Sequence, residues 1–233
     1  MNDSSLDLTQ RVAAIRDRVA AAAARSGRAA DDITIVAAAK TRSAAEIEAV
    51  IAAGVTSIGH NYVQEATAQR PLVTGPATWR LIGPLQTNKI NATLRCCDTV
   101  DTLHTVELAA ELDARVQRQG RAPWPVLLQI RLGGEATKSG CDPSEAESVL
   151  TAVQQMPGLL CLGLMTMPPP GEVDASRRWF GQLRELAVRL RAQTGLALPV
   201  LSMGMSEDFE LAVEEGATHV RLGTALFGPR PPR

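Results

Sequence analysis

The sequence has few aromatic residues and no excess of charge of either sign. Phenylalanine, tryptophan and tyrosine make up 3% of the 233 residues, and 24 Lys and Arg residues face 25 Asp and Glu residues. A formal net charge of −1 gives no basic surplus that would attract nucleic acid or an anionic membrane surface. We therefore expect neither nucleic acid nor a membrane as a partner.

Long apolar runs and paired cysteines are also missing. No stretch of the sequence reaches the roughly 18 apolar residues of a membrane-spanning helix, and the polar N-terminus lacks the layout of a secretory signal. A cytosolic protein is the expectation.

The four cysteines form no Cys-x-x-Cys pair, and the adjacent Cys96 and Cys97 are poorly spaced to share a metal ion. Most cysteines are expected to be small buried residues.

What the chain does have is a regular alternation of short apolar segments and segments of helical periodicity. A leading helix is predicted at residues 7–25, and eight strand–helix units follow. Ser43 and Glu46 have the spacing of a capping box for the first of these helices, and Asp101 is predicted to cap the helix after the fourth strand. The strands are predicted at residues 33–39, 55–58, 79–82, 99–100, 126–130, 159–164, 199–201 and 219–222.

Strands that alternate with helices imply a parallel sheet with right-handed crossovers. Eight units favour an α/β fold that closes into a (β/α)8 barrel of the TIM type, as one domain over residues 1–233. Because the strands are short, an open, doubly wound sheet is the alternative.

In such a barrel, functional residues collect at the carboxyl ends of the strands. Lys40 directly follows the first strand, so its amine is expected at the opening of the barrel, where water is partly excluded. Partial burial favours the neutral amine, which can form a Schiff base with an aldehyde. A solvated lysine at the start of a helix is the alternative interpretation.

The loops after the last two strands form a candidate anion site opposite Lys40. They read SMGMS at residues 202–206 and LGT at residues 222–224. Glycines allow backbone N–H groups to approach a phosphate, and hydroxyls and a helix N-terminus add to its binding. Simple turns are the alternative interpretation of these two loops.

Arg221 is expected to point into the same opening of the barrel. An arginine only donates hydrogen bonds, so at a pyridine nitrogen it would keep that nitrogen unprotonated and weaken the ring as an electron sink. An ion pair with a nearby carboxylate is the alternative for Arg221.

Six segments of the sequence carry a resemblance to a known family: AAAKTRSAAEIEAVIAAG, IGHNYVQEA, WRLIGPLQTNK, GGEATKSG, GLMTM and LSMGMSEDFELAVEEGATHVRLGTALFG. The chain resembles the YggS/PROSC family of pyridoxal 5′-phosphate (PLP) homeostasis proteins, which look like the N-terminal barrel domain of alanine racemase. The resemblance implies intracellular PLP homeostasis without robust catalytic turnover. PLP and PLP-dependent apoenzymes are the partners it suggests, and we expect a monomer.

The resemblance also assigns residues. It implies that Lys40 carries PLP as a Schiff base, that Asn61 lies near the ring and that Arg221 faces the pyridine nitrogen. The implied phosphate site consists of Ser202, Gly223 and Thr224, with Met203 and Gly204 shaping the pocket.

Three positions depart from the usual family pattern. His60 replaces a glutamate, Pro84 stands where a histidine is common, and prolines occupy residues 168–170. These changes concern the polar rim above the ring. His60 is expected as an exposed rim residue, with a partial replacement of the lost histidine as the alternative. Lys138 is a candidate second acceptor of PLP.

Two other functions stay open at this point. A PLP-dependent amino-acid racemase needs a second acid/base on the opposite face of the ring. In alanine racemase-like proteins a second domain of the partner subunit supplies it, and 233 residues leave no room for such a domain. Tyr62, the only tyrosine, lies at the start of a predicted helix and is expected to be structural. An aldolase-like barrel would instead use Lys40 on a phosphorylated sugar without PLP.

Overall fold

The computed structural model, which describes residues 7–133, 139–169 and 173–229, contains a closed barrel of eight parallel strands. Consecutive strands pair in parallel, and the last strand pairs with the first. The predicted (β/α)8 barrel is confirmed, and the open sheet is wrong. The strands are β1 (Thr34–Ala38), β2 (Ser57–His60), β3 (Thr78–Leu81), β4 (Thr99–Leu103), β5 (Trp124–Ile130), β6 (Leu159–Thr166), β7 (Val200–Ser202) and β8 (His219–Leu222).

Helices connect the strands and surround the barrel. They are α1 (Leu8–Arg25), α2 (Ala44–Ala52), α3 (Val63–Gln69), α4 (Ile90–Cys96), α5 (Val106–Arg118), α6 (Ala146–Gln154), α7 (Val173–Thr194), α8 (Phe209–Glu214) and α9 (Thr224–Phe227). The leading helix α1 is confirmed, and it packs against α8 and α9. The capping box of Ser43 and Glu46 is also present at the start of α2.

The fourth strand is longer than predicted, and Asp101 caps no helix. β4 continues to Leu103, and Thr105 is the residue that caps α5. Asp101 is fully buried in β4, where it accepts a hydrogen bond from Arg80 Nε at 2.9 Å and another from Thr99 Oγ1 at 2.9 Å. Aspartate is rare in strands and common at helix starts. The buried ion pair outweighs that local preference.

His60 is not the exposed rim residue that the sequence suggested. β2 ends later than predicted, so His60 lies inside the strand and is fully buried, stacked on Trp79 with ring centroids 4.9 Å apart. Neither ring nitrogen has a hydrogen-bond partner among the described residues. Burial lowers the pKa of His60 from 6.5 to about 4. The imidazole is therefore neutral in the folded protein.

We expect His60→Phe to reduce the acid sensitivity of the fold. Between pH 6.5 and about 4, the unfolded chain binds a proton at His60 that the folded chain excludes, so the free energy of unfolding falls as the pH falls. From pH 7 to pH 5 this loss is about 2 kcal/mol for His60. Phenylalanine preserves the stack on Trp79 and removes the titration. Urea unfolding at both pH values measures the difference, and an unchanged loss in the variant would contradict the assignment.

The remaining sequence expectations concern cysteines, membranes and metals. Cys96, Cys97 and Cys141 are buried and Cys161 is half-buried, which confirms the prediction for most of them. Within the described ranges, no helix combines the length and apolarity needed to cross a membrane. The same ranges contain no cluster of three or more metal-ligating side chains.

Candidate functional site

A cavity of about 760 Å³ opens at the carboxyl ends of the strands. This is the end of a TIM-type barrel where functional residues are expected. Five of the eight residues predicted for the site line this cavity: Lys40, Asn61, Arg221, Gly223 and Thr224. The structure therefore brings the end of β1, the end of β2 and the end of β8 to one place.

Lys40 lies two residues beyond the end of β1 and is half-buried at the wall of the cavity. Its Nζ lies 5.1 Å from the centre of the Tyr62 ring. Tyr62 precedes α3, as predicted, and 47% of its surface is exposed. The amine thus sits between an aromatic ring and the open cavity, and an aromatic face attracts an ammonium group.

Asn61 reaches the cavity because Gly83 leaves room for its backbone. The chain after β3 passes so close that a Cβ at position 83 would collide with the carbonyl group of Asn61. The carbonyl of Gly83 is itself fixed, since it accepts a hydrogen bond from Thr102 Oγ1 at 2.8 Å. A glycine next to Pro84 thereby determines where Asn61 lies.

Arg221 places a buried positive charge at the floor of the cavity. Its guanidinium donates to Ser202 Oγ at 2.9 Å and to the Thr166 carbonyl at 2.8 Å. Burial lowers the pKa of Arg221 to about 10, while Asp101 and Asp208 oppose the shift. Arg221 stays cationic at neutral pH, and it forms no ion pair with any residue that the structure describes. The alternative of a direct carboxylate partner is wrong within that part of the chain.

Two backbone N–H groups at the end of β8 converge on a single oxygen atom. Gly223 N donates to Ser206 Oγ at 3.3 Å, and Ala225 N donates to the same atom at 3.2 Å. Ser206 also lines the cavity. Gly223 has open space on its cavity side, because a Cβ there would lie no closer than 3.7 Å to the Ala38 carbonyl oxygen. The N–H groups of Gly223 and Ala225 can therefore donate to one shared acceptor at the cavity.

The residues 202–204 lie behind the cavity and are absent from its lining. Ser202 is fully buried and its hydroxyl oxygen accepts from Arg221. Met203 belongs to the hydrophobic core. Gly204 has a φ of +90°, and a Cβ at this position would lie 2.5 Å from Ala212 Cβ. Its carbonyl oxygen accepts a hydrogen bond from Arg221 N at 3.0 Å. These three residues support the site from below.

Several residues of the cavity were not singled out from the sequence. Asp208 accepts hydrogen bonds from Met205 N at 2.7 Å and from Ser176 Oγ at 3.1 Å, so it ties the loop after β7 to α7. The only sequence signal for Asp208 is its place in the segment between β7 and α8. The rest of this group is Ala38, Ile82, Met167, Glu207 and Pro229, whereas Ser206, Pro168 and Pro169 lie in segments already named from the sequence. Lys138 and Pro170 lie outside the described residues.

Comparison with known proteins identifies the family. The family model for the alanine racemase N-terminal domain matches residues 11–231. The pyridoxal phosphate homeostasis protein of Pseudomonas aeruginosa is 39% identical over 225 residues, which is 96% of each chain. The protein of the same name from Escherichia coli is 38% identical and covers 96% of this chain and 97% of its own. The chain belongs to the pyridoxal phosphate homeostasis protein family.

Solved structures agree with this membership of the pyridoxal phosphate homeostasis protein family. The structure of PipY from Synechococcus elongatus with PLP bound is 33% identical to this chain and has a TM-score of 0.84, with 95% of this chain and 100% of PipY covered. The resemblance seen in the six sequence segments is thus confirmed. Of the departures from the family pattern, His60 is buried behind Trp79 and Pro84 is exposed.

Proposed function

We propose that this chain binds PLP in the cavity at the mouth of the barrel and acts in intracellular PLP homeostasis, with PLP held as a Schiff base on Lys40. One observation carries the proposal: an amine, a hydrogen-bonding loop and a cation without an ion-pair partner among the described residues all line a single cavity. Relatives named for PLP homeostasis and the PLP-bound structure of PipY support it.

The chemistry of the cavity fits the three reactive parts of PLP. The cofactor has an aldehyde, a phosphate and a pyridine nitrogen. Lys40 offers an amine, the loop at Gly223 and Thr224 offers N–H and hydroxyl groups, and Arg221 offers a guanidinium N–H. A volume of about 760 Å³ falls within the range of small-molecule pockets, about 300–1,000 Å³.

Lys40 supplies the nucleophile in this proposal. When bound, PLP supplies the aldehyde carbon to which the amine nitrogen bonds, with one water molecule lost. Lys40 is half-buried at the cavity wall, and its amine reacts as a nucleophile in the neutral form. The Tyr62 ring at 5.1 Å gives the ammonium form a resting position close to the cavity.

The phosphate is proposed to bind where Ser206 Oγ now accepts two N–H groups. A phosphate oxygen accepts hydrogen bonds as a hydroxyl oxygen does, and its charge makes those bonds stronger. Rotation of the Ser206 side chain would free the N–H groups of Gly223 and Ala225 and turn the Ser206 hydroxyl into a further donor. Thr224 lines the same wall and adds a second hydroxyl.

Gly223→Ala tests this assignment without disturbing the fold. The φ of Gly223 is −109°, outside the positive range that favours glycine, and an added Cβ has its nearest neighbours at 3.7 and 3.8 Å. We expect normal stability but PLP binding weakened roughly tenfold, equivalent to about 1.4 kcal/mol, because a methyl group blocks the close approach of phosphate to backbone. Gly181→Ala is the control, because Gly181 lies in α7 outside the cavity lining, has no positive φ and offers an added Cβ similar space, with nearest neighbours at 3.6 and 3.9 Å. Equal PLP affinities in the two variants would refute the phosphate position.

Arg221 is proposed to face the pyridine nitrogen, and Ser202 to aim Arg221 rather than to contact the phosphate. The hydroxyl of Ser202 is fully buried and bound to the guanidinium. Because a guanidinium accepts no hydrogen bond, the pyridine nitrogen would stay unprotonated and withdraw few electrons from a bound substrate. This favours retention of PLP over turnover.

Titration of the cofactor-free protein with PLP, followed by visible absorbance, tests the proposed function. We expect a new visible band that saturates at one PLP per chain. A colourless protein that turns over a phosphorylated sugar would support the aldolase-like alternative. Loss of optical purity of L-alanine, followed by chiral analysis, would support a racemase.

The family resemblance is also the basis for three further proposals: a cytosolic location, a monomeric state and delivery of PLP to apoenzymes. Size-exclusion chromatography tests the monomeric state.

A further inference from the structure

Thr41, which directly follows Lys40, has an unusual backbone conformation. Its φ is +63°, and among the described residues only Leu198 is another non-glycine residue with a positive φ. A branched side chain makes this left-handed region costly, because Cβ crowds the backbone there. Such conformations persist only where the surrounding structure imposes them, and they cluster at functional sites.

Contacts on both sides of this turn impose the conformation. Before it, Ala39 N donates to the Gly59 carbonyl at 2.9 Å, which ties the end of β1 to β2. After it, Arg42 is buried, and its guanidinium donates to the Gly228 carbonyl at 2.6 Å. Arg42 N also donates back to the Ala39 carbonyl at 3.0 Å. The chain must therefore reverse within the two residues between these fixed points.

The side chain of Thr41 holds the same turn. Its Oγ1 donates to the carbonyl oxygen of Lys40 at 2.6 Å. This bond fixes the peptide plane between the two residues, and with it the direction in which the Lys40 side chain leaves the backbone. That direction places Nζ over the Tyr62 ring and at the cavity wall.

We propose that Thr41 is a positioning residue for Lys40, which its left-handed backbone and its hydroxyl together aim at the Tyr62 ring and the cavity. The inference rests on the proposed function, in which Lys40 carries the cofactor. Three variants test the proposal. Thr41→Val removes the hydroxyl and keeps the branched side chain, Thr41→Ser keeps the hydroxyl, and Thr41→Gly removes the whole side chain. Thr41 is exposed, so all three are expected to fold, which thermal unfolding checks.

Nuclear magnetic resonance of the cofactor-free protein measures where the Lys40 amine lies. Reductive methylation with isotope-labelled formaldehyde marks the lysine amines, and Lys40→Arg assigns the Lys40 signal. A position over the Tyr62 ring shifts that signal upfield relative to Lys89, and Tyr62→Leu should abolish the shift. We expect Thr41→Gly and Thr41→Val to lose at least half of the shift and Thr41→Ser to keep it. A wild-type shift in Thr41→Gly, or none in the wild type, would overturn the proposal.

The rate at which PLP is captured gives a second measurement. Because positioning of a reacting group accelerates bond formation, we expect capture to slow roughly fivefold or more in Thr41→Gly and Thr41→Val, and to be restored in Thr41→Ser. The resonance experiment contains no PLP, so its outcome is independent of the proposed function. If PLP forms no adduct with Lys40 in the wild type, the proposed function fails while the positioning of the amine is still measured.

Discussion

Lys40→Ala is expected to abolish the visible absorbance that PLP gives with this protein. The chain has three lysines, Lys40, Lys89 and Lys138, and of the two in the described residues only Lys40 lines the cavity. Without its amine no covalent bond to the aldehyde forms there. The noncovalent contacts to phosphate and ring remain, so we expect weak, colourless binding that dialysis removes.

Two further proteins make this result specific. Lys89→Ala removes a half-buried lysine that does not line the cavity, so its spectrum with PLP should match the wild type. Thermal unfolding of Lys40→Ala should resemble that of the wild type, since partly exposed side chains contribute little to stability. An unchanged chromophore in Lys40→Ala would show that another amine holds PLP.

Asp101→Ala is expected to have the largest effect on stability among the substitutions considered. Asp101 is fully buried and Arg80 is 7% exposed, and their ion pair at 2.9 Å is reinforced by Thr99. Removal of the carboxylate leaves the buried Arg80 without its partner, which costs about 3–5 kcal/mol. Urea unfolding monitored by circular dichroism measures the change in the free energy of unfolding.

A surface pair provides the matched control for Asp101. Glu111 and Arg115 form an ion pair at 2.9 Å one helical turn apart, with 51% of the Glu111 side chain exposed. Glu111→Ala should change the free energy of unfolding by only about 0.5 kcal/mol, because water screens such pairs. Equal effects of Asp101→Ala and Glu111→Ala would mean that the buried pair contributes no more than an exposed one.

The order and type of the elements could be predicted because local signals agree with the fold. The capping box at Ser43, the periodicity of α1 and the apolar strands each point to one outcome, and eight repeats of the same unit leave few topologies. The predictions for Asp101 and His60 were wrong because, at these two residues, the local signals disagree with the fold. Both are polar residues that local preference assigns to a helix start or a surface. Partners from neighbouring strands, Arg80 and Trp79, bury them instead.

The sequence could predict which strand ends form the site, but not which side-chain atoms face the cavity. Lys40 and Gly223 line the cavity because strand ends of a parallel barrel meet at one edge. The sequence could not distinguish Ser202 from Ser206, since both lie in the predicted loop at residues 202–206. Only the structure distinguishes the buried hydroxyl that holds Arg221 from the one on the cavity wall. Nor does sequence reveal a left-handed threonine, because threonine rarely adopts that conformation.

Borohydride reduction of the PLP-loaded protein, followed by peptide mass mapping, tests the central claim most directly. Reduction turns the bond between amine and cofactor into a stable one, so the modified lysine keeps the added mass through digestion. The peptide containing Lys40 should carry nearly all of it, and those containing Lys89 and Lys138 almost none. Modification mainly at Lys89 or Lys138, or spread evenly over the three lysines, would contradict the account.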